Sequence, residues 1–481
     1  MNIKTPLWAK TPYAIDPRPL EGHLTPHGGL TVLTRAFRSL KWPQVCLANF
    51  EGFKERARGL ELWQMVEAVI AGLALGADRL EDLDRLRWDR GIERLLGYTP
   101  PSARTIREML ERFHDEARVE QAQGQAEAQG RLAFIPEPTR WLERLAVVLG
   151  ASARSAASVG SRVRRATVDV DATIVESWKR SAKWTYEGVK GYQPVVAVWA
   201  EADVVLATEF RDGNVPAHME PLRCVQAAFE ALPKGIEGYG FRGDSACYEQ
   251  GLLRWLRDER RSGGPQGPIG FAISAPMSVE LRSACAAVPE AAWRRLEGGE
   301  EEGDYLRDWA EVAFVPSEAG ERREGKPLRY LAIRIRPRQG EFFEDGSACR
   351  YYAVVTNREE EGGWVLRWHR QKAGTVEHVH DELKNALAAG AMPSQRFGAN
   401  AAWFMLNAIA YNLVSAIRAG APDGTLRTAR LKQMRYQLFH VAARSARDRR
   451  KISVRFAATA EWIRHLISLF QVFPLRTIST G

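Results

Sequence analysis

Two aspartates stand two residues apart in a short stretch that alternates polar and apolar residues. The stretch 166–173 is Ala-Thr-Val-Asp-Val-Asp-Ala-Thr, and its period of two predicts a half-buried β-strand. Asp169 and Asp171 then share one face, roughly 7 Å apart, where two carboxylates repel unless water or a cation neutralises them. The pattern therefore fits either a solvated edge strand or the first carboxylate strand of a divalent-metal site.

Two further acids stand where predicted elements end or begin. Asp244 follows a predicted strand over 238–243, and Glu377 opens a helix predicted from residue 374. Taken singly, Asp244 fits an ordinary helix N-cap, and Glu377 with Lys384 fits surface charge near a helix start. As an ordered set with Asp171, these acids suit Mg²⁺, which takes oxygen ligands. Two such ions can activate the attacking oxygen and stabilise the leaving oxygen of a phosphodiester displacement.

The predicted elements around these acids follow the order of a ribonuclease H-like α/β core. The order is three strands, a helix, a strand, a helix and a strand, at 166–173, 193–200, 204–210, 215–232, 238–243, 248–260 and 269–274. In such a core the first and fourth strands are neighbours, so we expect Asp171 and Asp244 to approach each other. We assign residues 163–275 to the first part of this core.

An insertion is predicted to interrupt the core. Residues 276–365 carry strand patterns at 311–315, 329–336 and 350–356, and we expect a mostly β subdomain there. Helical periodicity returns afterwards, and we assign residues 366–420 to the remaining part of the core, with a glutamate-bearing helix and a packing helix.

Composition indicates a globular protein with a polyanionic partner. The 481 residues carry a formal net charge of +9, which suggests nucleic acid. The five cysteines form no C-x-x-C pair, so neither a zinc site nor a disulfide framework is indicated, and a reducing cytoplasm fits. No signal peptide is visible. The apolar tract 399–417 contains Asn400, Asn407 and Asn412, which favours a buried core helix and no membrane partner.

The N-terminal region, residues 1–150, is predicted to be all-helical and to bind DNA. A helix over 90–96, a Gly/Pro turn and a second helix capped by Ser102 outline a possible helix-turn-helix. Arg104 and Arg107 lie near the start of the second helix, where groove contacts are made. Such helix pairs are also common in helical domains that do not bind DNA.

Basic residues are concentrated in two other places. The tail, 421–481, is strongly basic, although such tails are often solvated surface. Between the first two core strands, basic and aromatic residues alternate in a way that could hold a DNA backbone and stack bases; a twisted hairpin with solvated lysines is the alternative. The residues are Trp178, Lys179, Arg180, Lys183, Trp184, Tyr186 and Lys190. A Ser/Ala/Gly-rich stretch at 151–162 is expected to be a linker.

Together these motifs resemble the DDE-type transposases of bacterial insertion sequences, especially the family numbered 1380 and the DDE transposase domain group 1. The matching segments are Asp169-Val170-Asp171-Ala172-Thr173, Gly188 to Pro194, Arg242-Gly243-Asp244-Ser245, and Gly374-Thr375-Val376-Glu377 with Glu382-Leu383-Lys384. The resemblance implies a catalytic triad of Asp171, Asp244 and Glu377 that binds two Mg²⁺ ions, for which Mn²⁺ can substitute, with Lys384 contacting phosphate. Asp171 is preferred to Asp169 because the family's aspartate is usually followed by a small residue and threonine.

The chain departs from that family at two positions before the glutamate. Relatives carry tyrosine and arginine seven and four residues before it, where this chain has Arg370 and Ala373. The phosphate contacts of that pair would then fall to Arg370, Lys372 or His369.

The resemblance implies a DNA transposase that acts in the bacterial cytoplasm in association with the nucleoid. It would bind the terminal inverted repeats of its element, cleave the DNA ends to leave a 3′-hydroxyl and join that hydroxyl to target DNA. Synapsis of two ends implies a homodimer on double-stranded DNA. Two alternatives remain open, namely a ribonuclease H-like nuclease or resolvase without strand transfer, and a catalytically inactive DNA-binding regulator.

Overall fold

The fold is described from a computed structural model of the 481-residue chain. The described residues are 22–54, 58–160, 163–296, 305–316, 327–337, 342–343, 346–422, 424–448 and 451–475. Parts of the predicted N-terminal region, linker, insertion and basic tail lie outside these ranges.

The secondary structure of the described residues alternates between helical and β-rich regions. The strands are β1 (Leu24–Thr25), β2 (Arg165–Ala172), β3 (Val175–Glu176), β4 (Lys183–Trp184), β5 (Lys190–Tyr192), β6 (Val195–Trp199), β7 (Val204–Glu209), β8 (Gly238–Gly243), β9 (Ile269–Ala275), β10 (Arg294–Arg295), β11 (Tyr305–Val312), β12 (Arg329–Pro337), β13 (Arg350–Thr356), β14 (Ala443–Asp448) and β15 (Lys451–Phe456). The helices are α1 (Leu30–Ser39), α2 (Trp42–Asn49), α3 (Leu62–Leu75), α4 (Asp84–Trp88), α5 (Arg90–Leu96), α6 (Ala103–Glu111), α7 (Glu116–Ala128), α8 (Arg140–Ala157), α9 (Pro221–Glu230), α10 (Gln250–Arg257), α11 (Val279–Ala286), α12 (Gly362–Lys372), α13 (His378–Asp381), α14 (Phe397–Gly420), α15 (Gly424–Arg427), α16 (Leu431–Met434) and α17 (Ala460–Val472).

One large mixed sheet contains all the predicted core strands. Its order is β10-β11-β12-β13-β9-β8-β2-β6-β7. β2 runs antiparallel to β6 and parallel to β8, and β8 runs parallel to β9. The first and fourth predicted strands, β2 and β8, are therefore neighbours as expected. Val170 is paired with Gly243, so Asp171 and Asp244 follow at the same end of adjacent strands.

Strands of the predicted insertion extend this same sheet. β13 pairs antiparallel with β9, with Val355 opposite Ile273, and β12, β11 and β10 continue outward from β13. The buried, apolar end of β13 makes this possible, because Val354 and Val355 pack on opposite faces of a sheet that is covered on both sides. The sheet thus runs across the boundary predicted between residues 275 and 276, and the boundary predicted after residue 365 falls inside α12.

Helix α14 crosses the core and is buried along almost its entire length. Its asparagines satisfy backbone groups that would otherwise be unpaired. Asn412 Oδ1 accepts from the Val205 backbone N–H at 2.7 Å, and its Nδ2 donates to the Val205 carbonyl at 2.9 Å, on the edge strand β7. Asn400 and Asn407 likewise bond backbone groups near Ser394 and Ala388. A buried core helix was expected, and within the described ranges no helix is both long and apolar enough to cross a membrane.

The stretch predicted to be a linker is largely helical. α8 continues to Ala157 and packs against α14 and β7. Its Ser and Ala residues lie in that interface, since Ser152, Ala153 and Ala156 are buried and the Ser152 hydroxyl oxygen accepts from Asn412 Nδ2 at 2.9 Å. The prediction of a linker from small residues was wrong for residues 151–157, because small side chains also allow two helices to pack closely. Residues 161–162 lie outside the described part.

Candidate active site

Asp171 and Asp244 lie side by side at the ends of β2 and β8. Asp171 is the penultimate residue of β2, and Asp244 directly follows β8. Asp244 also caps the turn Ser245–Cys247, because its side chain accepts from the Ala246 backbone N–H at 3.1 Å. Burial raises the pKa of Asp244; nearby Lys372 opposes that rise, and the negative charge of Asp171 adds to it. The N-cap interpretation of Asp244 is thus correct, and it is compatible with a site shared with Asp171.

Lys372 neutralises this acid pair. Its Nζ lies 3.2 Å from Asp171 Oδ2, and its side chain is largely buried. Lys372 was predicted to contact DNA in place of missing family residues. In the structure it lies against the acids, where it supplies the positive charge that two adjacent carboxylates require. Contact between Lys372 and DNA stays a prediction.

Glu377 lies in the middle of a long helical segment. The helix begins at Gly362, where Glu361 caps it by accepting from the Trp364 N–H at 2.7 Å, and it continues through a π-helical turn at Ala373–Glu377. The prediction that Glu377 opens a helix was therefore wrong. A Cβ at Gly362 would lie 2.3 Å from the Trp309 ring, so close packing explains the glycine at the start of this helix. π-Helical turns occur frequently at functional sites.

Lys384 lies on the same helical segment, in a second π-helical turn. Its Nζ lies 3.4 Å from the Ile174 carbonyl oxygen, just beyond the end of β2. The helix therefore lies across β2, with Lys372 beside Asp171, Lys384 beside Ile174, and the exposed Glu377 on the stretch between them.

The acid pair fits a hard divalent cation, although three ligands do not converge. Among the described residues, no group of three or more His, Cys, Asp or Glu side chains is arranged to hold a metal ion. Mg²⁺ commonly takes only one or two protein carboxylates and keeps several waters. Asp171 and Asp244 supply those oxygens, and their mutual repulsion is the kind that a cation relieves.

A buried ion pair lies directly behind the acids. Arg242 Nε and Nη2 donate to the two oxygens of Asp169 at 2.6 and 2.7 Å, and both side chains are almost fully buried. Arg242 Nη1 also donates to the Trp368 carbonyl at 2.7 Å, and the Thr375 hydroxyl donates to Asp169. The pair therefore joins β2, β8 and the Glu377 helix. Asp169, which was not preferred as the family's aspartate, thus supports the site from behind, and the role of Arg242 was missed.

The signal for Arg242 was present in the sequence. Asp169 and Arg242 stand two residues before Asp171 and Asp244, respectively. Because strand side chains alternate with a period of two, each pair shares one face, and parallel register places Asp169 opposite Arg242. An acidic and a basic residue at directly opposed positions of neighbouring strands indicate an ion pair.

Two histidines flank the site, of which His380 is buried and His369 is half-buried. His369 Nε2 lies 3.0 Å from the carbonyl oxygen of Gly243, the residue before Asp244. Burial lowers the pKa of His369 to about 4 and that of His380 to about 3, and Lys384 and Lys372 contribute at His380. His380 Nε2 has no hydrogen-bond partner in the described structure. Both rings are therefore neutral at pH 7.

These histidines predict a loss of stability in mild acid. An unfolded histidine takes up a proton near pH 6.5, whereas the folded ones stay neutral until much lower pH. The stability that depends on these neutral histidines should thus be fully present above about pH 6.5. As the pH decreases towards 4, the free energy of unfolding should fall by about 1.4 kcal/mol per pH unit per histidine. Urea unfolding of His380→Leu at pH 7 and 5 should show a shallower decrease than wild type. The exposed His218→Leu is the control, and identical slopes for all three proteins would contradict the assignment.

A small three-stranded sheet of β3, β5 and β4, together with its connecting segments, carries the predicted basic and aromatic residues. Trp178, Trp184 and Tyr186 are 89%, 62% and 76% exposed. Tyr186 is close enough to the acid pair for Asp171 and Asp244 to contribute to its raised pKa, after burial and Glu187. Exposed aromatic rings in such a cluster are unusual for a merely solvated hairpin. Of the basic residues, Arg180 and Lys183 are exposed, while Lys179 and Lys190 are half-buried.

A cleft of about 1350 Å³ opens on the other side of Lys372, between β13, β9 and α12. Ser245 and Lys372 lie at its acid end, and Tyr351 and Tyr352 belong to its wall. The arginines that line it are Arg282, Arg307, Arg350, Arg367 and Arg370. Arg370, predicted to contact DNA, thus lies in a basic cleft that adjoins the acid pair.

The two helices of the possible helix-turn-helix are present as α5 and α6. Ser102 caps α6 by accepting from the Thr105 backbone N–H at 3.2 Å, as expected. Arg104 is exposed and 2.9 Å from Glu108, and Arg107 pairs with Glu81. Exposed ion pairs contribute little free energy, so these arginines can exchange their partners for phosphate. Contact between this helix and DNA stays a prediction.

Comparison with known proteins identifies a family for the chain. Residues 20–476 match the family described as "Transposase DDE domain group 1". No curated protein sequence matches the chain. Among solved structures, the cryo-EM structure of a piggyBac transposase synaptic complex with hairpin DNA is similar over 85% of this chain and 79% of that chain, at 11% identity and a TM-score of 0.39. Since the family match spans nearly the whole sequence, the chain belongs to the Transposase DDE domain group 1 family.

Proposed function

We propose that this chain is the transposase of a bacterial insertion sequence of the family numbered 1380, and that it cleaves the element's DNA ends and joins them to target DNA. The observation that carries the proposal is the placement of Asp171 and Asp244 on adjacent strand ends, beneath the helix that bears Glu377 and Lys384. The order β9-β8-β2-β6-β7 supports a ribonuclease H-like core.

Each residue of the site has a proposed role. Asp171 and Asp244 would hold two Mg²⁺ ions, or Mn²⁺ in their place, and Glu377 would complete the site. When bound, the ions would neutralise charge on the phosphodiester and activate the attacking oxygen. Lys384, whose Nζ lies beside the end of β2, contacts phosphate. Arg242 and Asp169 hold β2, β8 and the Glu377 helix together. Lys372 balances the acid charge until substrate and ions are in place.

DNA would reach the acids from two sides. The small sheet offers Lys179, Arg180, Lys183 and Lys190 for the backbone and exposed aromatic rings for unstacked bases. On the other side, Arg370 and the neighbouring arginines line the cleft. The α5–α6 pair with Arg104 and Arg107, together with the basic tail, would bind the terminal inverted repeats. Two ends held together imply a homodimer, associated with the nucleoid.

Strand transfer is the test that separates this proposal from its alternatives. The purified protein, supplied with Mg²⁺ and a duplex that ends in a pre-cleaved inverted repeat with a free 3′-hydroxyl, should join that end to a target plasmid. The joined product is measured on a denaturing gel. A matched duplex with a 3′-dideoxy end should give none, because it lacks the attacking hydroxyl.

Two other outcomes would favour the alternatives. Robust cutting of the intact end with no joined product would indicate a nuclease or resolvase. Binding of the repeats without cutting or joining would indicate an inactive regulator, and Asp171→Ala would then leave every measured property unchanged.

A further inference from the structure

The β-hairpin formed by β14 and β15 is attached to the rest of the protein at its base. β1 pairs with Ala443 and Arg444, and the Ser445 backbone N–H donates to the His23 carbonyl at 2.9 Å, so the hairpin is a two-stranded ribbon beyond Ser445. On the face towards the protein, Ala443 and Ser445 are buried near the base, whereas Arg447 and its partner Ile452 are exposed. Both faces of the outer part are therefore open to solvent.

Two arginines oppose each other on the outer face of this hairpin. Arg444 and Arg455 are direct cross-strand partners, and both are exposed. Like charges at opposed positions destabilise a sheet. Across the described ranges, neither guanidinium has an acidic side chain within ion-pair distance. The next pair on the same face is Ala446 and Ser453, whose small side chains leave the backbone accessible.

The base of the hairpin is attached to the predicted helix-turn-helix. Arg94 of α5 donates from Nη1 to the Ser445 carbonyl at 3.3 Å. Gly91 allows α5 to approach β1, because a Cβ there would lie 2.8 Å from the Leu24 carbonyl oxygen. A rigid connection of this kind would hold the hairpin and α6 as parts of one surface.

We propose that this hairpin is a DNA-binding ribbon that enters a groove of duplex DNA, with Arg444 and Arg455 contacting phosphates of the two strands that border the groove. A two-stranded ribbon fits the major groove, which is about 12 Å wide. The repulsion between Arg444 and Arg455 would be relieved by the phosphates of a bound polyanion. The inference rests on the proposed function only in taking DNA as the polyanion.

The test compares matched losses of two positive charges. Binding of a fluorescent 30-base-pair duplex is followed by anisotropy from about 50 to about 200 mM salt. The hairpin variant carries Arg444→Gln and Arg455→Gln. The control variant carries Arg164→Gln and Arg260→Gln, at two exposed arginines outside the hairpin. The hairpin variant should bind at least about tenfold more weakly at low salt, and its slope of log affinity against log salt should be about 2 smaller in magnitude. The control variant should keep the wild-type slope.

A single charge reversal excludes misfolding as the cause. Arg455→Glu places opposite charges across the hairpin, so its melting temperature should equal or exceed that of wild type while its DNA binding falls. Equal binding by the hairpin and control variants would overturn the ribbon and leave the proposed transposase intact. Absence of duplex binding by the wild-type protein would overturn both.

Discussion

Replacing Asp171 or Asp244 by asparagine should reduce DNA end cleavage by at least about 10³-fold, equivalent to about 4 kcal/mol of transition-state stabilisation. Asparagine keeps the size and one oxygen of the side chain but removes the charge that attracts a divalent cation. It can also retain the N-cap at Asp244, where the side chain accepts from the Ala246 N–H, so the fold should persist. Cleavage of an intact inverted-repeat end in Mg²⁺, and again in Mn²⁺, measures the effect.

The matched control for these variants is Glu187→Gln. Glu187 is an exposed acid on the segment between β4 and β5, next to Tyr186. The substitution therefore removes one negative charge close to the site, but from a residue that does not belong to the site. Its cleavage rate should stay within about threefold of wild type, as expected for a surface substitution. Calorimetric titration with Mn²⁺ should show weaker binding by both aspartate variants. Normal cleavage by either variant would remove that aspartate from the catalytic site.

The strands and the acid pair were largely predictable from the sequence. β8 and β13 have the predicted bounds, 238–243 and 350–356, because aromatic or β-branched residues recur within these short stretches. The proximity of Asp171 and Asp244 followed from the order of strands and helices alone. In a sheet with this order the first and fourth strands are neighbours, and the residues at their carboxyl ends therefore meet.

The helix that completes the site was less predictable, because tertiary contacts determine it. Glycine disfavours helix, so Gly362 and Gly363 gave no signal that α12 begins there. The cap by Glu361 and the packing against Trp309 override that preference. The contact of Lys372 with Asp171 could not be predicted either, since it depends on how the helix lies across β2, and local sequence does not encode that.

Breaking the buried Asp169–Arg242 pair should destabilise the protein and misplace the acids. Asp169→Asn or Arg242→Met leaves one buried charge without its partner, which typically costs about 3–5 kcal/mol of unfolding free energy. The double variant Asp169→Leu with Arg242→Met removes both charges and should regain most of that stability. Its cleavage should nevertheless stay reduced about 10-fold or more, because residue 242 no longer donates to the Trp368 carbonyl and the Thr375 hydroxyl no longer has residue 169 as an acceptor. Urea unfolding and cleavage rates are measured for all three variants.

The exposed pair Arg164–Glu237 is the matched control, because it links the same two strands at their opposite end. The side chains of Arg164 and Glu237 are 62% and 60% exposed, and Arg164 Nη1 lies 3.0 Å from Glu237 Oε1. Arg164→Met should therefore cost less than about 1 kcal/mol and leave cleavage unchanged. Were the double variant to regain both stability and wild-type cleavage, the buried pair would only stabilise the fold. Regained stability with low cleavage would show that Asp169 and Arg242 position Asp171, Asp244 and the helix of Glu377 for the reaction.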